Sequence, residues 1–155
     1  ASKIAQQQSY LTHSSEIVAA ASDYLVLTLS HLIAGRDWNF ISNMPIKEHW
    51  PTEIELIAKG QWKHKEINNL KSTKNIDDIL EAAVWCVGNS SNFEDSVTKA
   101  VNLGGNSDTI GAVTGQLAGA LYGLESIPIR WFDKLLKIEK LTDVAMQMVE
   151  LSRCE

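Results

Sequence analysis

Cysteine is almost missing from this chain: Cys86 and Cys154 are the two among 155 residues. Two thiols cannot build a disulfide scaffold, and Cys86 lies inside an apolar helical run, so a reducing, cytoplasmic setting is expected. Positive charge is thin as well. Fourteen Lys and Arg stand against nineteen Asp and Glu, for a net charge of −5 at pH 7. The basic residues are scattered, with one loose group between Lys59 and Lys74. This balance argues against electrostatic capture by nucleic acid or by an anionic membrane. No stretch reads as a signal peptide or a membrane span. The alternation of a strand persists nowhere, and there is no repeat, low-complexity run or clear linker. The GxxxxGK phosphate loop and the GxGxxG dinucleotide fingerprint are both missing, which leaves nucleotide hydrolysis and hydride transfer without a signature. Serine and cysteine nucleophile arrangements have none either.

What is present is helical. With 45% hydrophobic residues the chain has enough apolar mass for one domain, residues 1–155. Ser14 and Ser15 are N-cap candidates for a helix from Glu16 to Ile33, with Ile17, Val18, Ala21, Leu25, Leu29 and Leu32 on one face and Gly35 as its stop. From Asp37 to Pro51 the chain is broken up, and Pro51 opens a short helix through Lys59, closed by Gly60. Trp38, Trp50 and Trp62 read as core anchors or loop plugs, although one such ring can also stack on an adenine. Gln61 to Asn75 is polar and reads as a solvated loop with His64 exposed. Asp77 and Asp78 precede a helix to about Val87 and suit its positive N-terminus better than an acid–base pair. Ser91 and Glu94 form a capping box for a helix from Phe93 to about Leu103, with Phe93, Val97, Ala100 and Val101 facing inward. Pro128 and Trp131 lead into a helix carrying Phe132, Leu135 and Leu136. A last helix over Leu141 to Leu151 takes Val144, Ala145, Met148 and Val149 as its core stripe, the methionines filling gaps.

The stretch Ala100 to Gly123, AVNLGGNSDTIGAVTGQLAGALYG, organises the rest. Gly104 and Gly105 let the backbone take positive φ or approach a ligand closely. Asn106, Ser107, Asp108 and Thr109 follow at the start of a helix, where free N–H groups favour an anion and clustered oxygens suit a hard cation such as Mg²⁺ or Ca²⁺. The same residues are also ordinary turn and N-cap chemistry, and spacing alone leaves both readings open. Gly111, Gly115 and Gly119 recur every four residues. Each costs about 0.5–1 kcal/mol relative to alanine, so close approach of another helix or a ligand is the expected return.

GGNSDTIGAVTGQLAGALYG resembles the C-terminal signature of the ADP-ribosylglycohydrolase family, which includes the dinitrogenase reductase-activating glycohydrolases. The resemblance extends upstream through DDILEAAVWCVGNSSNFEDSVTKAVN, downstream into Ile127-Pro128 to Trp131, and back to Leu11-Thr12-His13. It implies an all-α fold, an orthogonal helical bundle forming the C-terminal half of that family's fold. It implies Mg²⁺ or Mn²⁺, one ion or two, with Asp108, Thr109 and Asn106 as ligands. It implies substrate contacts from His13, Gly104, Gly105 and Ser107. From the residues alone His13 is an isolated surface or capping histidine; the resemblance turns its Thr12-His13 pair towards an ADP-ribose pocket. One position departs: the family's first aspartate is Asn106 here, which keeps an oxygen and loses a charge, so weaker metal binding is expected. The family's first half, with its Thr-Asp-Asp run and the acidic residue proposed for catalysis, has no match. The chain opens at Ala1 without methionine, and a trimmed or partial chain is expected.

Three readings follow. The first is a hydrolase that removes ADP-ribose from modified protein side chains once a complementary N-terminal half is present. The second is a non-catalytic module that binds ADP-ribose or an ADP-ribosylated protein. The third is a helical contact domain, with a homodimer covering the face of the missing half. Neither nucleic acid nor membrane is an expected partner.

Overall fold

The computed structural model describes residues 1–152, so Cys154 lies outside the described residues. The fold is all-α, as anticipated: among the described residues there are nine α-helices, three short 3-10 turns and no strand. The helices are α1 (Ser2–Tyr10), α2 (Glu16–Ile33), α3 (Trp38–Ile41), α4 (Thr52–Ala58), α5 (Ile76–Gly88), α6 (Phe93–Asn102), α7 (Ser107–Tyr122), α8 (Ile129–Phe132) and α9 (Ile138–Ser152).

Helix α5 is the centre. Its run Ile79-Leu80 and Ala82 to Val87 is apolar on every side, and all of these residues are buried. A helix polar only along the narrow edge of Asp77 and Glu81 has to be enclosed elsewhere, and α2, α4, α6 and α7 enclose it. Asp77 and Asp78 sit in its first turn, where the helix dipole favours them.

Helix α2 has the bounds its sequence suggested. Its buried face centres on Ala20, Ala21, Tyr24, Thr28 and Leu32, while Leu25 and Leu29 are half-buried. By length and composition α2 is apolar enough to cross a membrane, which corrects the expectation that no stretch is. In this fold it packs instead against α1, α4, α5 and α7 and keeps the charged Asp23 fully buried. Helix α1 lacks an apolar stripe; Ala5 is its one buried residue, and it lies along α2.

Helices α6 and α7 pack closely. The N-cap of α6 is Asn92, whose side chain accepts from the Asp95 backbone N–H at 2.8 Å, in place of the Ser91–Glu94 box. Asn is as good a cap as Ser, and shifting the cap one residue frees Glu94 to pair with Arg130. Val101 turns outward and is half-exposed, contrary to expectation. A Cβ at Gly111 would lie 3.3 Å from Val101 Cγ1, and one at Gly119 3.9 Å from Phe93, whereas Gly115 has nothing within 4 Å. Close approach of α6 therefore accounts for two of the three small residues. At the end of the chain, Val144, Ala145, Met148 and Val149 are exposed and form no core stripe, because α9 makes little contact with α1 to α8. Leu135 and Leu136 are exposed too, and the helix expected to carry them ends at Phe132.

Candidate functional site

The front of α7 is built from a left-handed double glycine. Gly104 has φ +70° and Gly105 φ +57°, a region costly for any residue with a Cβ. A Cβ on Gly105 would also sit on the carbonyl oxygen of Ser72, so the approach of residue 72 requires glycine there. The Ser72 hydroxyl donates to the Gly104 carbonyl at 2.5 Å. The Asn106 N–H is shared between Ser72 Oγ at 3.1 Å and Ser72 O at 3.2 Å.

Asn106 is the N-cap of α7, yet its side chain makes no capping hydrogen bond. Asp108 and Thr109 follow in the first turn, both exposed, while Ser107 and Asn106 are half-buried. Asp108 Oδ1 accepts from the Thr109 N–H at 2.8 Å and has the Thr109 hydroxyl 3.5 Å away. Those are the protein partners of Asp108 among the described residues. The two side chains thus bond within their own turn but are not turned inward, and their remaining lone pairs face solvent.

The structure gathers Gly104, Gly105, Asn106, Ser107, Asp108 and Thr109 into one turn. It keeps His13 with its own neighbours: the exposed ring has Nδ1 2.9 Å from Thr12 Oγ1, and its backbone N–H donates to Ser9 O at 2.9 Å. No hydrogen bond or ion pair joins His13 to the glycine turn among the described residues. Of the three anchors, Trp50 and Trp62 are buried and donate to Asp23 and to the Ile57 carbonyl. Trp38 packs edge-on against Trp62. Burial leaves neither Trp50 nor Trp62 free to stack on a base, while Trp38 is half-buried.

Ser72 was not singled out by its sequence. It sits in a polar run that reads as solvated, and no local pattern ties it to residues 32 and 34 positions later. That run is more structured than expected, with 3-10 turns at Gln61–His64 and Ile67–Asn69 and Lys65 paired to Glu81 at 2.6 Å.

Whether the turn suits a hard cation is a matter of donor chemistry. Asp108 offers a carboxylate, Thr109 a hydroxyl and Asn106 an amide that capping does not use, and all are oxygen donors of the kind Mg²⁺ takes. They supply one negative charge. Among the described residues there is no group of three or more His, Cys, Asp or Glu side chains that could hold a metal. These residues fit a portion of a divalent-cation site; such a site would need further donors.

Comparison with known proteins places the chain. A family model described as ADP-ribosylglycohydrolase matches residues 1–155. The chain is 39% identical over 144 residues to the ADP-ribosylarginine hydrolase Tri1 of Serratia proteamaculans (strain 568), covering 91% of this chain and 38% of that protein. It is 31% identical over 137 residues to the ADP-ribosyl dinitrogen-reductase glycohydrolase of Rhodospirillum rubrum, covering 86% and 43% respectively. A solved structure described as an ADP-ribosylglycohydrolase-related protein complex superposes with a TM-score of 0.82 at 28% identity, over 93% of this chain and 50% of that one. The chain thus spans about two fifths of the length of the curated relatives it matches. With its whole length matched by the family model, and the all-α fold shared, the chain belongs to the ADP-ribosylglycohydrolase family.

Proposed function

We propose that this chain is the metal- and substrate-facing C-terminal part of a hydrolase that removes ADP-ribose from modified protein side chains. The observation that carries the reading is the oxygen set of exposed Asp108 and Thr109 with half-buried Asn106, held behind a double-glycine turn in a chain of this family. Cleavage of the glycosidic bond develops positive charge on the ribose carbon and requires the ribose hydroxyls and diphosphate to be held still. A bound Mg²⁺ or Mn²⁺ supplies orientation of those hydroxyls and activation of a water. This chain's share is to present Asp108, Thr109 and the Asn106 amide to the cation. Gly104 and Gly105 let backbone approach the ligand closely, with Ser107 and His13 as further substrate contacts. The relative Tri1 is named an ADP-ribosylarginine hydrolase, which supports an N-glycosidic arginine linkage as the bond attacked. The general base or acid belongs to a complementary N-terminal half, acting in cis or as a partner in the cytoplasm.

The test is reconstitution. The 155-residue chain, folded with a complementary half from a relative, should release ADP-ribose from an ADP-ribosylarginine protein in Mg²⁺ and stop when the metal is chelated. Asp108→Asn should lower the rate by about 10²-fold or more through the loss of a charged ligand. Absence of release with both halves folded together would end the hydrolase reading. A second reading, binding without cleavage, draws on Asn106 standing where the family has a carboxylate. Calorimetry with ADP-ribose showing affinity but no turnover in the reconstituted pair would favour it.

A further inference from the structure

We infer that Ser72 is a positioning residue for the oxygen set at the front of α7, acting through the glycine turn. The inference rests on the cation-binding reading given above. A helix that begins with Asn ordinarily uses that side chain to cap its own amides. Here Asn106 does not, and the turn is fixed from outside. The Ser72 hydroxyl holds Gly104 O, and the hydroxyl and carbonyl of the same residue share the Asn106 N–H. That arrangement leaves the Asn106 amide available to a ligand while the backbone ahead of Asp108 and Thr109 is locked.

The clamp is itself anchored in the core. Thr73 Oγ1 donates to Asp78 Oδ2 at 2.6 Å and accepts from the Asn75 N–H at 3.0 Å. Asn75 Nδ2 approaches the same Asp78 oxygen at 3.4 Å, and Lys71 Nζ lies 3.9 Å from Asp78 Oδ1. Asp78 is buried and belongs to α5, the most enclosed helix of the fold. Residues 71–75 therefore form a strap running from the first turn of α5 to the turn before α7. Gly105 is the position that lets the strap close, since any side chain there collides with Ser72. Precise placement of weak ligands matters most when charge is low, and this turn carries one carboxylate.

The experiment compares the full 155-residue chain with Ser72→Ala and Ser72→Thr by NMR, with Mn²⁺ alone as the probe. Two readouts are taken: hydrogen exchange of the Asn106 amide without metal, and the Mn²⁺ concentration at which the amides of residues 107–110 broaden. Ser72→Ala should speed exchange at Asn106 about tenfold and raise the Mn²⁺ midpoint about tenfold. Ser72→Thr, which keeps the hydroxyl, should stay within about twofold on both. Unchanged exchange in Ser72→Ala would overturn the clamp. Faster exchange with an unmoved Mn²⁺ midpoint would overturn the positioning role and leave Ser72 a structural residue. Wild-type chain that shows exchange protection but no selective broadening up to millimolar Mn²⁺ would remove the cation-binding reading and this inference with it.

Discussion

Asp23 is fully buried, yet it is surrounded as a charge rather than as a neutral acid. Lys47 Nζ donates to its two oxygens at 2.8 and 3.0 Å, Trp50 Nε1 donates at 2.9 Å, and the Ser2 hydroxyl donates as well. His49 Nε2 lies 3.7 Å away. Burial works to raise the carboxyl pKa, but the bonds from Lys47, Ser2 and Trp50 outweigh it and hold the group below its usual 3.8. A carboxyl depressed on folding adds stability above the unfolded value and loses it as pH falls through the folded one. Asp23→Asn should therefore cost about 2 kcal/mol near neutral pH, where a charged acceptor is lost. The gap to wild type should close as the pH drops below about 4. Urea unfolding across that range checks it, and a gap independent of pH would contradict the charged state. In the sequence Asp23 is an acid inside an apolar helix with nothing nearby to answer it. Its partners arrive 24 and 27 residues later, beyond a stretch broken by Pro45, and helical periodicity carries no information across that distance.

At the scale of a helix, α7 shows how far a pattern can be read. Its start, its glycine entry and its pairing with a neighbour were all legible, because turn chemistry and small-residue spacing are local. The identity of what fills each gap was not. Gly115 meets nothing within 4 Å in a helix interior, so in this chain its flexibility has no packing return. Gly115→Ala should raise the unfolding free energy by about 0.5–1 kcal/mol, the helix-propensity gain. Gly105→Ala should do the reverse, by about 1–2 kcal/mol from the left-handed backbone alone and more from the collision with Ser72. Thermal unfolding of the two variants side by side distinguishes them, and a loss at Gly105→Ala no larger than the backbone cost of about 1–2 kcal/mol would mean the strap does not press on Gly105. The cap of α6 carries the same lesson. Ser91 and Asn92 are both good caps one residue apart; Asn92 serves, and Glu94 pairs instead with Arg130, 36 residues later.

Across the whole molecule the apolar surface is unevenly used. Helices α2, α4, α5, α6 and α7 share one interior, while α9 displays Leu141, Val144, Met148 and Leu151 at spacings of three and four, all substantially exposed. The sequence marked the helix and named Val144, Ala145, Met148 and Val149 as its core stripe; the helix is there, and those residues are exposed. It could not show whether this chain covers it, since periodicity reports that a face is apolar and not what lies against it. Burial decides stability, so the two halves of the chain should respond differently to truncation. Removing the chain from residue 138 onward should change the unfolding free energy by about 0.5 kcal/mol or less, because among the described residues α9 makes few contacts with the rest of the fold. It should also reduce binding of an apolar dye such as ANS, because the largest run of exposed aliphatic side chains is gone. Loss of more than about 2 kcal/mol would show that α9 folds against the body of the molecule in solution, as only buried apolar area supplies a cost of that size.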